Sequence, residues 1–68
     1  MAIYYVNKNS QSDGVHEVHK GNCNYLPHPE NRFYLGDFTS CHIAIIEALK
    51  YFSSVDGCYW CSRECHTR

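Results

Sequence analysis

The chain has 68 residues, enough for one domain but of a size that usually needs a disulfide, a metal or a partner chain to reinforce its core. Its 44% hydrophobic and 15% aromatic content is that of a folding chain and excludes a disordered one. Six Lys and Arg against seven Asp and Glu give a net charge of −1 with no basic run, so nucleic-acid binding is possible but not favoured by charge.

Met1 leads directly into Ile3-Tyr-Tyr-Val6, with no basic segment ahead of an apolar one, so no secretory signal is read. No apolar run approaches membrane-spanning length, and no membrane role is expected. The expected location is cytoplasmic, where thiols stay reduced. Five cysteines is also an odd number, which suits a metal site better than a disulfide framework.

In chain order, Ala2 to Val6 is aromatic and β-branched and predicts a strand. Asn7 to Gly14 is a polar run of turn formers ending in Asp13-Gly14. Val15 to His19 predicts a second strand, antiparallel to the first across that long loop, with Val15, Glu17 and His19 on one face and His16 and Val18 on the other. Lys20-Gly-Asn-Cys23 is a tight turn. Pro27, Pro29 and Asn31 disfavour regular structure before Phe33 to Phe38, a third strand in which Gly36 marks a bulge or close packing. A helix follows, capped by Thr39 or Ser40, with Cys41, Ile45, Ala48, Leu49 and Phe52 along its apolar face. Ser53 to Gly57 ends it, and Cys58 to Arg68 reads as a knuckle and a tail.

Tyr4 or Tyr5, Phe33, Leu35, Phe38 and Phe52 are the expected core, and Cys41 a core thiol among them. His16 and His28 lack ligand spacing and are expected at the surface. Trp60, between two cysteines, is expected to cap the knuckle or to anchor a partner. Tyr25, Tyr59 and Trp60 together could stack on single-stranded bases.

The chemistry lies in Cys58-Tyr-Trp-Cys61, which can place two sulfurs on one zinc ion with little strain. Cys23 with His19, spaced His-x-x-x-Cys, is the best second half-site and would close a loop of about 35 residues. Cys65 competes with His19 for the fourth position, and His66, His42 and Cys41 are further options. Three thiolates on one zinc would add a negative charge. A redox role for the Cys-x-x-Cys lacks the βαβ context, and Ser62 after Cys61 excludes the haem-attachment pattern. Cys65 followed by His66 reads as a tail and not as a nucleophile and its base.

The order strand, turn, strand, His19-Lys-Gly-Asn-Cys23, Glu30-Asn-Arg32, a strand at Phe33, a helix and Cys58-x-x-Cys61 resembles the Ada-type metal-binding modules over most of the chain. That resemblance implies an Ada-like zinc fold with His19, Cys23, Cys58 and Cys61 as ligands. In the members that repair methyl phosphotriesters the first ligand is a thiolate that accepts the methyl group. Here that position is His19, a poor acceptor by comparison, which argues against the repair reaction. The expectation is thus a single α+β domain spanning 1–68: a three-stranded, mostly antiparallel sheet, one helix and a zinc knuckle. It is expected to be a non-enzymatic binding or adaptor module with structural zinc and a protein partner. The alternatives are a nucleic-acid-binding zinc module and a zinc-thiolate alkyl acceptor.

Overall fold

Strand propensity near Met1 and the turn formers that follow it produce the central hairpin of the molecule. A computed structural model of the chain describes residues 1–67, and Arg68 lies outside the described residues. Strand β1 spans Ala2–Asn7 and β2 spans His16–Lys20, paired antiparallel with Tyr4 opposite Lys20, Tyr5 opposite His19 and Val6 opposite Val18. The loop between them turns at Gly14, whose φ of 86° suits glycine. Strand β3, Arg32–Phe38, pairs antiparallel with the other edge of β1, and the ladder slips between Tyr4 and Tyr5. Gly36 lies beside this slip with φ 141°, and a Cβ there would meet the Phe38 ring at 2.7 Å. Both expectations for Gly36, a bulge and a close approach, are met.

The sheet has four strands and not three. Val55–Gly57 forms a short strand, β4, parallel to β2, giving the order β3-β1-β2-β4 in a mixed sheet. Three residues that include Asp56 and Gly57 read as a turn by composition; they become a strand because β2 offers an open edge. The ladder continues past β4, with the Cys58 N–H donating to Val18 O at 2.9 Å.

The helix, α1, is shorter than expected and covers Cys41–Ala48. Ser40 is its N-cap by backbone position, without a capping side-chain bond. Beyond Ala48 the chain tightens into turns, with Lys50 N–H bonded to Glu47 O and Tyr51 N–H to Ala48 O. Ser53 and Ser54 do not extend it. Phe52 folds back against Phe33 and His16, while Leu49 is exposed, contrary to its expected place on the buried face.

Helix α1 lies on one side of the sheet and buries Cys41, Ala44 and Ala48 against Tyr4, Val6, Val18 and Leu35. Phe33, Phe38, Ile45, Phe52 and Val55 pack around this cluster. His16 is half-buried and not a free surface residue: its Nδ1 meets Asn7 O at 2.8 Å and its ring lies 4.2 Å from that of Phe52. His28 is exposed at a 3-10 turn, Pro29–Asn31. Among the described residues no helix is long and apolar enough to cross a membrane.

The cysteines divide two and three. Cys41, at the start of α1, is joined to Cys65 by a disulfide, while Cys23, Cys58 and Cys61 are free. The odd number therefore did not exclude a disulfide, and Cys41 is not a core thiol. The segment taken for a tail is fastened as well: Cys65 is buried, and Asp56 accepts from the Thr67 N–H at 3.0 Å and the Thr67 hydroxyl at 2.9 Å.

Candidate metal centre

Strand β2 and its parallel partner β4 carry the two halves of the site to the same end of the sheet. His19 is opposite Tyr5 in the ladder, so its side chain leaves the sheet on the side away from α1. It is nevertheless 2% exposed. The Lys20-Gly-Asn-Cys23 turn, closed by the Cys23 N–H on Lys20 O at 3.1 Å, then presents Cys23. Cys58 emerges directly from β4, and the Ser62 N–H on Cys58 O closes the turn that carries Cys61.

The ligand atoms of His19, Cys23, Cys58 and Cys61 all lie within 4.8 Å of one another and could hold a metal ion. Cys23 Sγ is 3.9 Å from Cys58 Sγ, and Cys61 Sγ is 4.0 Å from His19 Nδ1. Tetrahedral zinc needs about 3.8 Å between two sulfurs and about 3.5 Å between sulfur and nitrogen, from the usual bond lengths. These donor pairs fit with small adjustments. Cys65, the competing fourth ligand, is held by Cys41 and stands outside the quartet.

Each of the three sulfurs faces a backbone amide. The Tyr25 N–H points to Cys23 Sγ and the Trp60 N–H to Cys58 Sγ, both at 3.4 Å, and the Lys20 N–H to Cys61 Sγ at 3.2 Å. In each half-site the donor to the first sulfur lies two residues beyond its cysteine, although the turns close differently: Leu26 N–H bonds Cys23 O, and Ser62 N–H bonds Cys58 O. A neutral thiol accepts weakly, whereas a thiolate is a charged acceptor that such donors stabilise. Sequence reasoning missed these amides because they depend on turn conformation and not on residue type.

Burial alone works against ionisation. It pushes the Cys58 and Cys61 thiols up, and it lowers His19, with the Glu17 carboxylate partly opposing that shift. A bound divalent cation reverses this balance for thiols, since a coordinating thiol is deprotonated. Glu17 Oε1 stands 3.7 Å from His19 Nε2, on the ring nitrogen away from Cys61.

One side of the site is open. A groove of about 310 Å³ is lined by Asn22, Cys23, Asn24, Tyr25, Trp60 and Cys61. Trp60 is exposed and stacks on Tyr25 with ring centres 5.7 Å apart, while Tyr59 meets Trp60 edge-on and carries Arg63 over its face. Trp60 thus forms a wall of the groove beside Cys23 and Cys61. The expected alternation and turns were enough to mark His19 and Cys23. No spacing rule marked the Cys41–Cys65 pairing across 24 residues.

The chain matches no family model, no curated protein and no solved structure. The class defined by fold and site is a small α+β domain with a Cys/His cluster able to hold a metal ion.

Proposed function

We propose that the chain is a small zinc module in which His19, Cys23, Cys58 and Cys61 bind one structural zinc ion. The observation that carries this reading is the set of three amide donors, one on each sulfur of a four-ligand cluster. Three sulfurs and one imidazole are a donor set suited to zinc. Filling all four positions leaves none open for a substrate, which favours a structural role over catalysis. The spacing of the quartet resembles that of Ada-type modules and supports the same ligands. The three unpaired thiols favour a reducing compartment such as the cytoplasm, and the Cys41–Cys65 disulfide in the same chain favours an oxidising one.

Elemental analysis of the purified chain tests the proposal. One zinc per chain and loss of dispersed NMR signals on chelation are expected. A chain without stoichiometric zinc, or one unchanged by a strong chelator, overturns it.

The exposed Trp60, Tyr25 and Tyr59 give the module a surface for a protein partner, consistent with a binding or adaptor role. Arg63 over Tyr59 gives the nucleic-acid reading its specific support, because stacking and a cation occur on one surface. Titration with short single-stranded DNA and RNA at two salt concentrations separates the two. A salt-dependent affinity abolished by Trp60→Ala supports nucleic acid, and no binding leaves the protein-partner reading. With His19 in the first position, the alkyl-acceptor reading is the weakest, and intact mass after exposure to a methyl donor decides it.

A further inference from the structure

We infer that Cys41, His42 and Cys65 form a second, redox-gated metal site, which takes a thiophilic divalent cation of the zinc class once the Cys41–Cys65 disulfide is opened. The sulfurs of Cys41 and Cys65 and a ring nitrogen of His42 lie within 4.8 Å of one another, and none of these residues belongs to the first quartet. Two ions can therefore be held at once. Cys41 and Cys65 are buried, and His42 is exposed beside them on the first turn of α1. The site thus has a dry side made of sulfur and a wet side made of imidazole. Three protein ligands leave a fourth position for solvent on the exposed side.

The disulfide decides whether the site exists, because the metal ligand is the thiolate and a disulfide sulfur carries no such charge. Opening it uses two equivalents of a low-molecular-weight thiol: the S–S bond breaks, two electrons pass to the protein sulfurs, and the reductant leaves as its own disulfide. The products are two protein thiols and one oxidised reductant. Metal binding then releases two protons to solvent, one from each thiol, while the neutral imidazole donates its free nitrogen pair. The two thiolates balance the charge of the divalent ion. Cys41 begins a helix, where the backbone dipole favours the thiolate form. The Cα atoms of the pair are 6.3 Å apart, held by α1 on one side and the Arg63–Cys65 3-10 turn on the other. Reduction therefore leaves the two sulfurs as neighbours.

The test is a cobalt(II) and zinc titration of the full chain in two states, with the disulfide intact and after reduction by a phosphine, each state verified by thiol alkylation and intact mass. The metal bound by the oxidised chain reports the His19 quartet, and the excess bound by the reduced chain reports the second site. Failure of either is thus seen separately. One additional equivalent on reduction is expected. His42→Ala, at an exposed position that leaves the core intact, should weaken that additional binding by more than the roughly 10–100-fold that a supporting residue costs, with the first equivalent unchanged. Equal metal content in the two states, or an additional equivalent whose affinity His42→Ala does not alter, overturns the inference.

Discussion

His19 Nδ1 stands 4.0 Å from Cys61 Sγ, 42 residues further along the chain, and the opposite nitrogen of the same ring points toward Glu17. If the quartet binds zinc as proposed, Nδ1 is the nitrogen placed to ligate, and the Glu17 carboxylate near Nε2 would act on the ring from its other side. Glu17 would then be a positioning residue. Glu17→Gln should lower zinc affinity by roughly 10–100-fold while leaving the fold of the loaded protein intact. Competition against a chromophoric chelator reads the affinity, and an unchanged constant would show that Glu17 does not act through His19.

Substituting the ligands should be far more severe. On the proposed zinc reading, Cys23→Ser, Cys58→Ser and Cys61→Ser would each remove a thiolate from a site whose binding energy is also folding energy. We expect each variant to lose near-UV circular dichroism and NMR dispersion at ambient temperature. His19→Cys should keep the metal, whereas His19→Ala should not.

Acidity acts on the same four groups. In the metal-loaded protein protons compete for three thiolates and an imidazole, so zinc should be released as pH falls. Without metal the signs differ between ligands. His19 is held below its ordinary value, so its folded form resists protonation, and stability falls as pH drops below about 6.5. Cys58 and Cys61 are raised, so their contribution is present below the ordinary thiol range and is lost as pH climbs through it. The residual near-UV circular dichroism of metal-stripped protein, small by the preceding expectation, should therefore peak near neutrality. A signal that keeps rising into the alkaline range would contradict the burial of these thiols.

Gly57 sits where β4 meets the knuckle. A Cβ there would lie 2.6 Å from Ser62 O and 2.7 Å from Cys65 Cβ, with backbone on one side and a disulfide on the other. Neither neighbour yields easily. Gly57→Ala should cost about 1–3 kcal/mol, measurable as a shift in the denaturant midpoint. Gly14→Ala meets no atom within 4 Å and should show only the smaller cost of a positive φ, which provides the control.

Cys65→Ser is not neutral in this fold, contrary to its reading as a tail residue. The disulfide it breaks closes a loop with a sequence separation of 24, for which chain entropy gives about 3.5 kcal/mol. We expect a lower Tm under non-reducing conditions with the quartet still able to bind one zinc. Coincident loss of zinc would mean that Cys65 supports the first site directly.

Periodicity and turn chemistry carried much of this architecture. The β1–β2 hairpin, β3 with its special Gly36, and a helix beginning at Cys41 are legible because each rests on local residue preference. So are the candidate positions His19, Cys23, Cys58 and Cys61, whose short spacings imply paired donors. Strand β4 was not legible: Val-Asp-Gly has no strand pattern, and only the free edge of β2 makes it one. The end of α1 was misjudged because Leu49 and Phe52 continue an apolar stripe, although the first is solvent-facing and the second packs from a turn. The Cys41–Cys65 pairing depends on where the last 3-10 turn lands on the helix, which no local rule contains.

The parallel pairing of β2 with β4 has a consequence for biosynthesis. His19 and Cys23 are made early, but their partners follow only after β3, α1 and β4. A nascent chain that has not yet reached Cys58 holds half of the quartet and can form the β1–β2 hairpin without its fastening. If the quartet binds zinc as proposed, capture at four ligands would be a late event, completed only once Cys61 has been made. Interrupted synthesis would then leave a fragment that cannot load, and zinc occupancy would distinguish chains translated past Cys61 from those that were not.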